Sequence, residues 1–369
     1  MTTSGALRIV VAGDWKAGVH EEPMARALES LGHAVTRFPW ARYFEHERGD
    51  RGSPGGVAGR LQNRLLAGPC FTRLNRDLVE TCARSPLDLL LVRRGTHVTR
   101  ETLRAVRRGA PRGVIAGTCN DDPFSPVQRK IDWRHFLRAL PEYDLVLAYR
   151  HHNLEDFRRA GARRVELLRS WYVPERNRPL VLSEEDRQRW ESDVVFAGHY
   201  EADKRIEYLD ALVAGGIALK VYGPDYPRGL RAPCLAGSLP VRALPGEEYN
   251  KALCGAKIAL CFFSTLNRDT YTRRCFEIPS TRTLMLCEYS ADVATLFTEG
   301  EEAEFFRSKE ELVGKAKALL ADPERRARIA AAGRRRVVAD GHDVVSRMRQ
   351  VLAWVDEVRN APAPPGRTA

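Results

Sequence analysis

Residues 193–224 read DVVFAGHYEADKRIEYLDALVAGGIALKVYGP, and this stretch decides the fold. Asp193–Ala197 is a short apolar run of strand type that ends on Gly198. Ile206, Leu209 and Val213 then recur at helical spacing, and Gly215-Gly216 stops the helix. A second apolar run, Ile217–Tyr222, runs into Gly223-Pro224. Strand, helix and strand, each closed by glycine, make a βαβ unit and predict a parallel sheet.

The same alternation runs through the N-terminal half. Leu7–Ala12 reads as a buried first strand rather than a signal peptide, because Arg8 lies inside it and Gly13 follows it. A helix carrying Met24, Ala27, Leu28 and Leu31 ends at Gly32, and a strand over Ala34–Phe38 follows. Arg48–Gly59 reads as a mobile loop. Further strands fall at Leu87–Val92, Val114–Gly117, Leu145–Ala148 and Val165–Leu168. Pro174, Pro179 and the polar run at 183–187 interrupt the pattern before the second βαβ unit begins. Ser308 with Glu311 forms a capping box, Asp322-Pro323 opens a helix expected to stop at Gly333, and a last helix carries Val344 to Val355.

A chain of 369 residues exceeds one ordinary core. The expected division is a Rossmann-like domain over 1–172, a linker over 173–190, a second Rossmann-like domain over 191–340, a returning helix over 341–358 and a disordered tail over 359–369. No run of 18 apolar residues suggests a membrane span. The eight cysteines form no C-x-x-C and read as small buried hydrophobes in a reducing, cytoplasmic setting. The net charge of +11 comes with no zinc-finger, helix-turn-helix or aromatic-basic motif, so nucleic acid is not the expected partner. Arginine-rich composition accounts for most of it. An anionic substrate or peripheral contact with the inner membrane surface is the second reading.

Chemistry is expected beyond the carboxyl ends of the strands. Residues 267–279, NRDTYTRRCFEIP, lie between two apolar strands. Asp269 and Glu277 stand there among Arg268, Arg273 and Arg274. Carboxylates accept hydrogen bonds from sugar hydroxyls, and arginines or a helix N-terminus hold pyrophosphate. By spacing alone a solvated, salt-bridged helix is the favoured reading of the segment. On the N-terminal side Gly13-Asp14-Trp15 follows the first strand, and Asp14 reads as a turn residue or as a base. Asp121 and Asp122, followed by Pro123, are an alternative base or sugar-binding pair. His151-His152 show no third partner at metal-ligand spacing, and no metal site is expected. His20 and His97 carry no assignment. No D-x-D, G-x-G-x-x-G after the first strand, G-x-S-x-G or Walker sequence occurs, which disfavours metal-dependent transferases, dehydrogenases, hydrolases and P-loop enzymes.

The segment from Asn267 through Phe297, Gly300, Phe305-Phe306, Glu310-Glu311-Leu312 and Asp322-Pro323 to Ala332-Gly333 resembles the donor domain of group 1 glycosyltransferases, and most nearly their CgeB-like, spore-maturation-type branch. Asn120–Ser125 is similar to that branch's D-D-P loop. The resemblance implies an α/β protein of two Rossmann-like domains facing a cleft, the GT-B architecture. The 1–172 domain would bind the acceptor and the 191–340 domain the donor. It implies a metal-independent transferase moving a sugar from a nucleotide-diphosphate sugar, with no further cofactor, to a hydroxyl on a small-molecule, glycan or lipid-linked acceptor. Glu277 matches the acidic residue expected on the ribose. Asp269 stands where the E-x7-E pattern has its first acid, one methylene short, and the pattern implies retention. Arg274 would lie on the diphosphate, with Arg268 nearby. Gly198 and His199 match a G-x-Y turn at the donor, with Lys204 and Arg205 toward phosphate and Tyr222-Gly223 flanking the base. Where relatives carry small residues after E-x-P, this chain has Ser280-Thr281-Arg282-Thr283, and the hydroxyl of Thr281 would substitute as a phosphate donor. A sugar-nucleotide epimerase or hydrolase on the same fold, and a basic non-catalytic binding protein, are the alternatives.

Overall fold

The computed structural model describes residues 5–16, 18–44 and 55–361, and the chain forms two compact units. The first unit takes the chain up to Arg169 and again from Val344; the second is Ser170–Asp343. Residues 45–54 and 362–369, which include part of the expected mobile loop and most of the expected tail, lie outside the described residues.

The first unit holds strands β1 (Arg8–Gly13), β2 (Ala34–Pro39), β3 (Leu89–Arg93), β4 (Val114–Cys119), β5 (Leu145–Ala148) and β6 (Val165–Leu167). They pair in parallel in the order β2-β1-β3-β4-β5-β6. Every residue of β4 and β5 is buried. Since successive side chains point to opposite faces, both faces are covered there. Helices α1 (Glu21–Ser30), α2 (Arg60–Leu65), α3 (Pro69–Ala83), α4 (Arg100–Gly109), α5 (Arg134–Ala139) and α6 (His151–Arg159) alternate with the strands. Thr99 caps α4 by accepting from the Thr102 amide.

The second unit holds β7 (Ser192–Ala197), β8 (Leu219–Tyr222), β9 (Ala256–Cys261), β10 (Leu284–Glu288) and β11 (Glu304–Phe306), parallel in the order β11-β10-β9-β7-β8. Its helices are α7 (Glu184–Trp190), α8 (Arg205–Ala214), α9 (Glu247–Cys254), α10 (Arg274–Ser280), α11 (Val293–Leu296), α12 (Lys309–Ala321) and α13 (Pro323–Ala339). The polar run at 183–187 is not slack chain. Ser183 caps α7, and Trp190 at its end is buried. The last helix, α14 (Val344–Asn360), packs on α1 and belongs to the first unit. No helix among the described residues is long and apolar enough to cross a membrane.

Each sheet changes direction once. Beside β1 the chain runs to β2 on one side and to β3 on the other; beside β7 it runs to β8 and then to β9. The carboxyl ends of β1/β3 and β7/β9 are therefore the switch points at which open parallel sheets leave a crevice.

The expected stop at Gly333 does not occur: α13 runs through it to Ala339. The glycine is there for close packing, because a Cβ at 333 would collide with the Glu302 carbonyl oxygen. Gly314, inside α12, is exposed with open space around it. Replacing Gly314 by Ala should stabilise the protein by about 1 kcal/mol, whereas Gly333→Ala should lower stability despite the same helix preference. Paired urea unfolding curves check the opposite signs.

His97 lies among Trp40, Phe44 and Phe71, stacked on Trp40 at 5.3 Å, with Nε2 2.7 Å from Asn63 Oδ1. Burial, helped by the Arg94 charge, lowers its pKa from 6.5 to about 4. The unfolded chain therefore takes up this proton first. Stability from His97 is full above about pH 6.5 and falls as pH drops toward 4, by on the order of 3 kcal/mol. His97→Gln should flatten that acid limb in urea midpoints measured across this range.

Candidate functional site

The carboxyl end of the second sheet collects most of the sequence-predicted residues. At the end of β7 the Gly198 amide donates to the Tyr222 carbonyl at 2.8 Å. A Cβ at residue 223 would collide with the Gly198 carbonyl oxygen, so only glycine fits there. A Cβ at 198 would sit 2.6 Å from Phe196 Cζ and 3.4 Å from the Arg274 guanidinium carbon. The arginine's charged head thus lies beside the β7/β9 switch point.

Arg274 opens α10, where its amide donates to Thr272 Oγ1 at 3.2 Å. Its guanidinium has no hydrogen-bond or ion-pair partner among the described residues, and its Nε is buried. One turn along, Glu277 is buried at 7% exposure. Its Oε2 accepts from the Tyr249 hydroxyl at 2.9 Å, and its Oε1 pairs with Arg273 Nε at 2.8 Å. Burial, reinforced by Glu277, pushes the Tyr249 phenol well above its usual range, which keeps it a donor. Tyr249 had no assigned role in the sequence. It sits on α9, upstream of β9, and only the fold brings it to Glu277.

Asp269 stands in the turn between β9 and α10. Its amide donates to the Ser264 carbonyl at 2.9 Å and its carboxylate faces the Ser264 amide at 3.4 Å. Arg268 beside it is exposed, with φ +50. Lys204 Nζ pairs with Glu288 Oε1, while Glu288 Oε2 accepts from the Phe263 amide at 3.1 Å. His199 is exposed and meets Asp225 Oδ2 at 3.0 Å. The ring of Tyr222 lies against Trp190 at 5.9 Å.

Two sequence-predicted phosphate contacts have other work. Arg205 is 2% exposed and grips Asp203 with Nε and Nη2, at 2.8 and 2.9 Å. It also donates to the His199 and Phe263 carbonyls. It braces the turn from inside, its donors taken by protein acceptors. Thr281 is buried, its hydroxyl donating to Ile278 O at 2.7 Å, and Thr283 donates to Leu253 O at 2.8 Å. These hydroxyls close the end of α10, while Arg282 between them is exposed at φ +63.

In the first unit Asp14 accepts from the Lys16 amide at 3.2 Å, a turn contact, and Asp121 pairs with Arg94 at 3.1 Å. Asp122 is fully buried. Its Oδ1 accepts from the Phe124 amide and Asn153 Nδ2, and its Oδ2 meets His152 Nε2 at 3.2 Å. It is an anchor, not an accessible base. His152 also has the third neighbour that sequence spacing hid, since Asp122, His152 and Asp156 lie within 4.8 Å of one another.

Against known proteins, residues 204–353 match the model of a family described as glycosyl transferase-like. No curated protein matches. Among solved structures, sucrose-phosphate synthase from Thermosynechococcus elongatus superposes with a TM-score of 0.69 at 12% identity, covering 95% of this chain and 99% of that one. HepE from Anabaena, in complex with UDP-glucose, gives 0.65 at 14% identity over 95% and 100%. A putative UDP-N-acetylglucosamine 2-epimerase from Listeria monocytogenes gives 0.60 at 11% over 99% and 100%. The chain thus has the GT-B fold of two parallel-sheet, Rossmann-like units. The stretch that matches the glycosyl transferase-like model, 204–353, takes in most of the second unit and the first half of α14.

The roles of the two neighbouring basic residues separate on stability. Arg205→Ala strands the Asp203 carboxylate and should cost about 3 kcal/mol. Lys204→Ala, at a half-exposed pair, should stay within about 1 kcal/mol. Urea denaturation of both variants checks the contrast.

Proposed function

We propose that the protein transfers a sugar from a nucleotide-diphosphate sugar to an acceptor hydroxyl, with the donor held at the carboxyl end of β7 and β9. The observation that carries this reading is Arg274, a guanidinium without a protein partner among the described residues, set against Gly198 at the switch point. An unpaired, half-buried cation beside a side-chain-free backbone turn suits a diphosphate.

In this reading the Arg274 charge stabilises the diphosphate as the bond from the anomeric carbon to the leaving oxygen breaks. Gly198 lets the phosphates approach the backbone. Glu277 retains lone pairs beyond those used by Tyr249 and Arg273, and these accept from the ribose hydroxyls. Tyr249 and Arg273 hold the carboxylate in place for that contact. Asp269 lies on the transferred sugar, with Arg268 at the rim. No D-x-D sequence is present to hold a divalent ion against the diphosphate, so the proposed mode is metal-independent. Retention follows from the likeness to the E-x7-E pattern. The departing phosphate oxygen then takes the acceptor's proton, and Asp122, buried and bonded on both oxygens, is not needed as a base. The first unit is read as the acceptor-binding one, and the enzyme as cytoplasmic. Neighbours such as HepE, solved with UDP-glucose, support a uridine donor as the first to test. The epimerase among the neighbours makes release of a free or epimerised sugar the competing outcome.

Isothermal titration with UDP, ADP, GDP and their glucose and N-acetylglucosamine conjugates tests the reading. One class should bind saturably, and Arg274→Ala should weaken it roughly tenfold to a hundredfold with the fold intact, the loss of a charge-assisted contact. Absence of binding by every nucleotide, or unchanged binding in the variant, overturns the proposal. Product analysis with a bound donor, showing epimer or free sugar irrespective of acceptor, overturns transfer in favour of the competing chemistry.

A further inference from the structure

Three cysteines far apart in sequence meet in the second unit. Cys261 ends β9 and Cys287 lies in β10, and the two are direct register partners across the parallel pair. Cys275 reaches them from α10, which packs on both strands. Each is 0% exposed and none is in a disulfide. Cys261 Sγ and Cys275 Sγ are 3.8 Å apart, and the three sulfurs lie within 4.8 Å of one another. Cys275 Sγ also accepts from the Thr272 amide at 3.5 Å. The sequence reading of the cysteines as buried apolar filler holds for six of the eight, Cys70 and Cys254 being half-buried, but misses this convergence.

We propose that Cys261, Cys275 and Cys287 form a three-coordinate, all-sulfur site for a trivalent thiophilic metalloid of the arsenous acid class. Three bonds to sulfur of about 2.3 Å at roughly 100° to one another set the sulfurs about 3.5 Å apart, so the Cys261–Cys275 pair at 3.8 Å closes by tenths of an ångström and the third sulfur by up to about 1.3 Å. No imidazole or carboxylate belongs to the group, which selects soft, sulfur-seeking centres. Burial then selects the charge. Three thiolates around a divalent ion leave one negative charge in a dry interior and around a monovalent ion two, charges that are costly to bury unless they claim the neighbouring Arg274 guanidinium. A trivalent centre gives a neutral complex. The reaction balances without a redox change: As(OH)3 plus three thiols gives As(SR)3 plus three waters. Three S–H and three As–O bonds break while three As–S and three O–H bonds form, and no proton is released.

The incoming acid is itself small and uncharged. Its route is local opening of α10, a seven-residue helix interrupted by Pro279 and therefore short of internal hydrogen bonds. Uptake is slow in water and faster in mild urea. Once loaded, the cluster ties α10 to two strands.

The test uses the full chain, reduced and then freed of reductant, incubated with sodium arsenite and desalted. Elemental analysis should find one arsenic per chain. Native mass spectrometry should show a gain of one arsenic less three hydrogens. Cys261→Ala, Cys275→Ala and Cys287→Ala should each lower affinity at least about a hundredfold, while Cys70→Ser leaves it unchanged. Because a core variant may unfold, circular dichroism accompanies each. An independent measurement on the unmodified chain maps which peptides arsenic protects from alkylation, and these should contain residues 261, 275 and 287. No uptake, protection of other cysteines, unchanged uptake by folded Cys275→Ala, or binding of cadmium ion at these residues without arsenite binding overturns the proposal.

Discussion

The carbonyl oxygen of Gly198 occupies the space in which a side chain at residue 223 would begin. Everything at the carboxyl end of the second sheet depends on this approach of two backbone segments. It brings the ends of β7 and β8 into hydrogen-bond contact, Gly198 N to Tyr222 O, and leaves a surface without side chains beside which the Arg274 guanidinium settles. The turn that follows needs a brace, and Arg205 supplies it by joining Asp203, the His199 carbonyl and the Phe263 carbonyl beyond β9. Glycine at both positions carries an entropic penalty on folding, and the packed β7–β9 core offsets it.

The fold was readable because its signals are local. Buried parallel strands are short apolar runs, and glycine marks the ends of β1, β7 and β8. Capping boxes and Asp-Pro starts are equally local, and Ser308 and Asp322 cap α12 and α13 as their sequences imply. Less apolar elements escaped. The helix α4 has few apolar residues among its arginines, and β11 is three residues long. Gly333 misled because a glycine inside a helix looks like a stop until the neighbouring carbonyl of Glu302 is in view.

The candidate site was readable only as far as residue type goes. Arg205 and Arg274 are alike in sequence, both arginines at the start of a helix after a strand-end loop. One has a carboxylate two residues before it and turns inward; the other has no such neighbour and keeps its charge unspent. Asp121 and Asp122 differ in the same way, since only the second meets Asn153 and His152 from α6. The Thr281 hydroxyl donates to the Ile278 carbonyl of its own helix. Tyr249 and the trio of cysteines were invisible because each group joins segments separated by other elements. Availability of a side chain is a property of what surrounds it, and composition carries none of that.

The placement of α14 has a bearing on how the protein is made. The first unit is split: its sheet is finished by β6, yet the helix that packs on α1 and buries Val344, Met348, Val351 and Val355 is synthesised after the whole of the second unit. At bacterial-to-eukaryotic elongation rates, roughly ten to forty seconds separate emergence of the two. The second unit, being continuous, leaves the ribosome whole in that interval and can close first. The amino-terminal unit meanwhile waits with an uncovered apolar face, so the order of completion runs opposite to the order of translation.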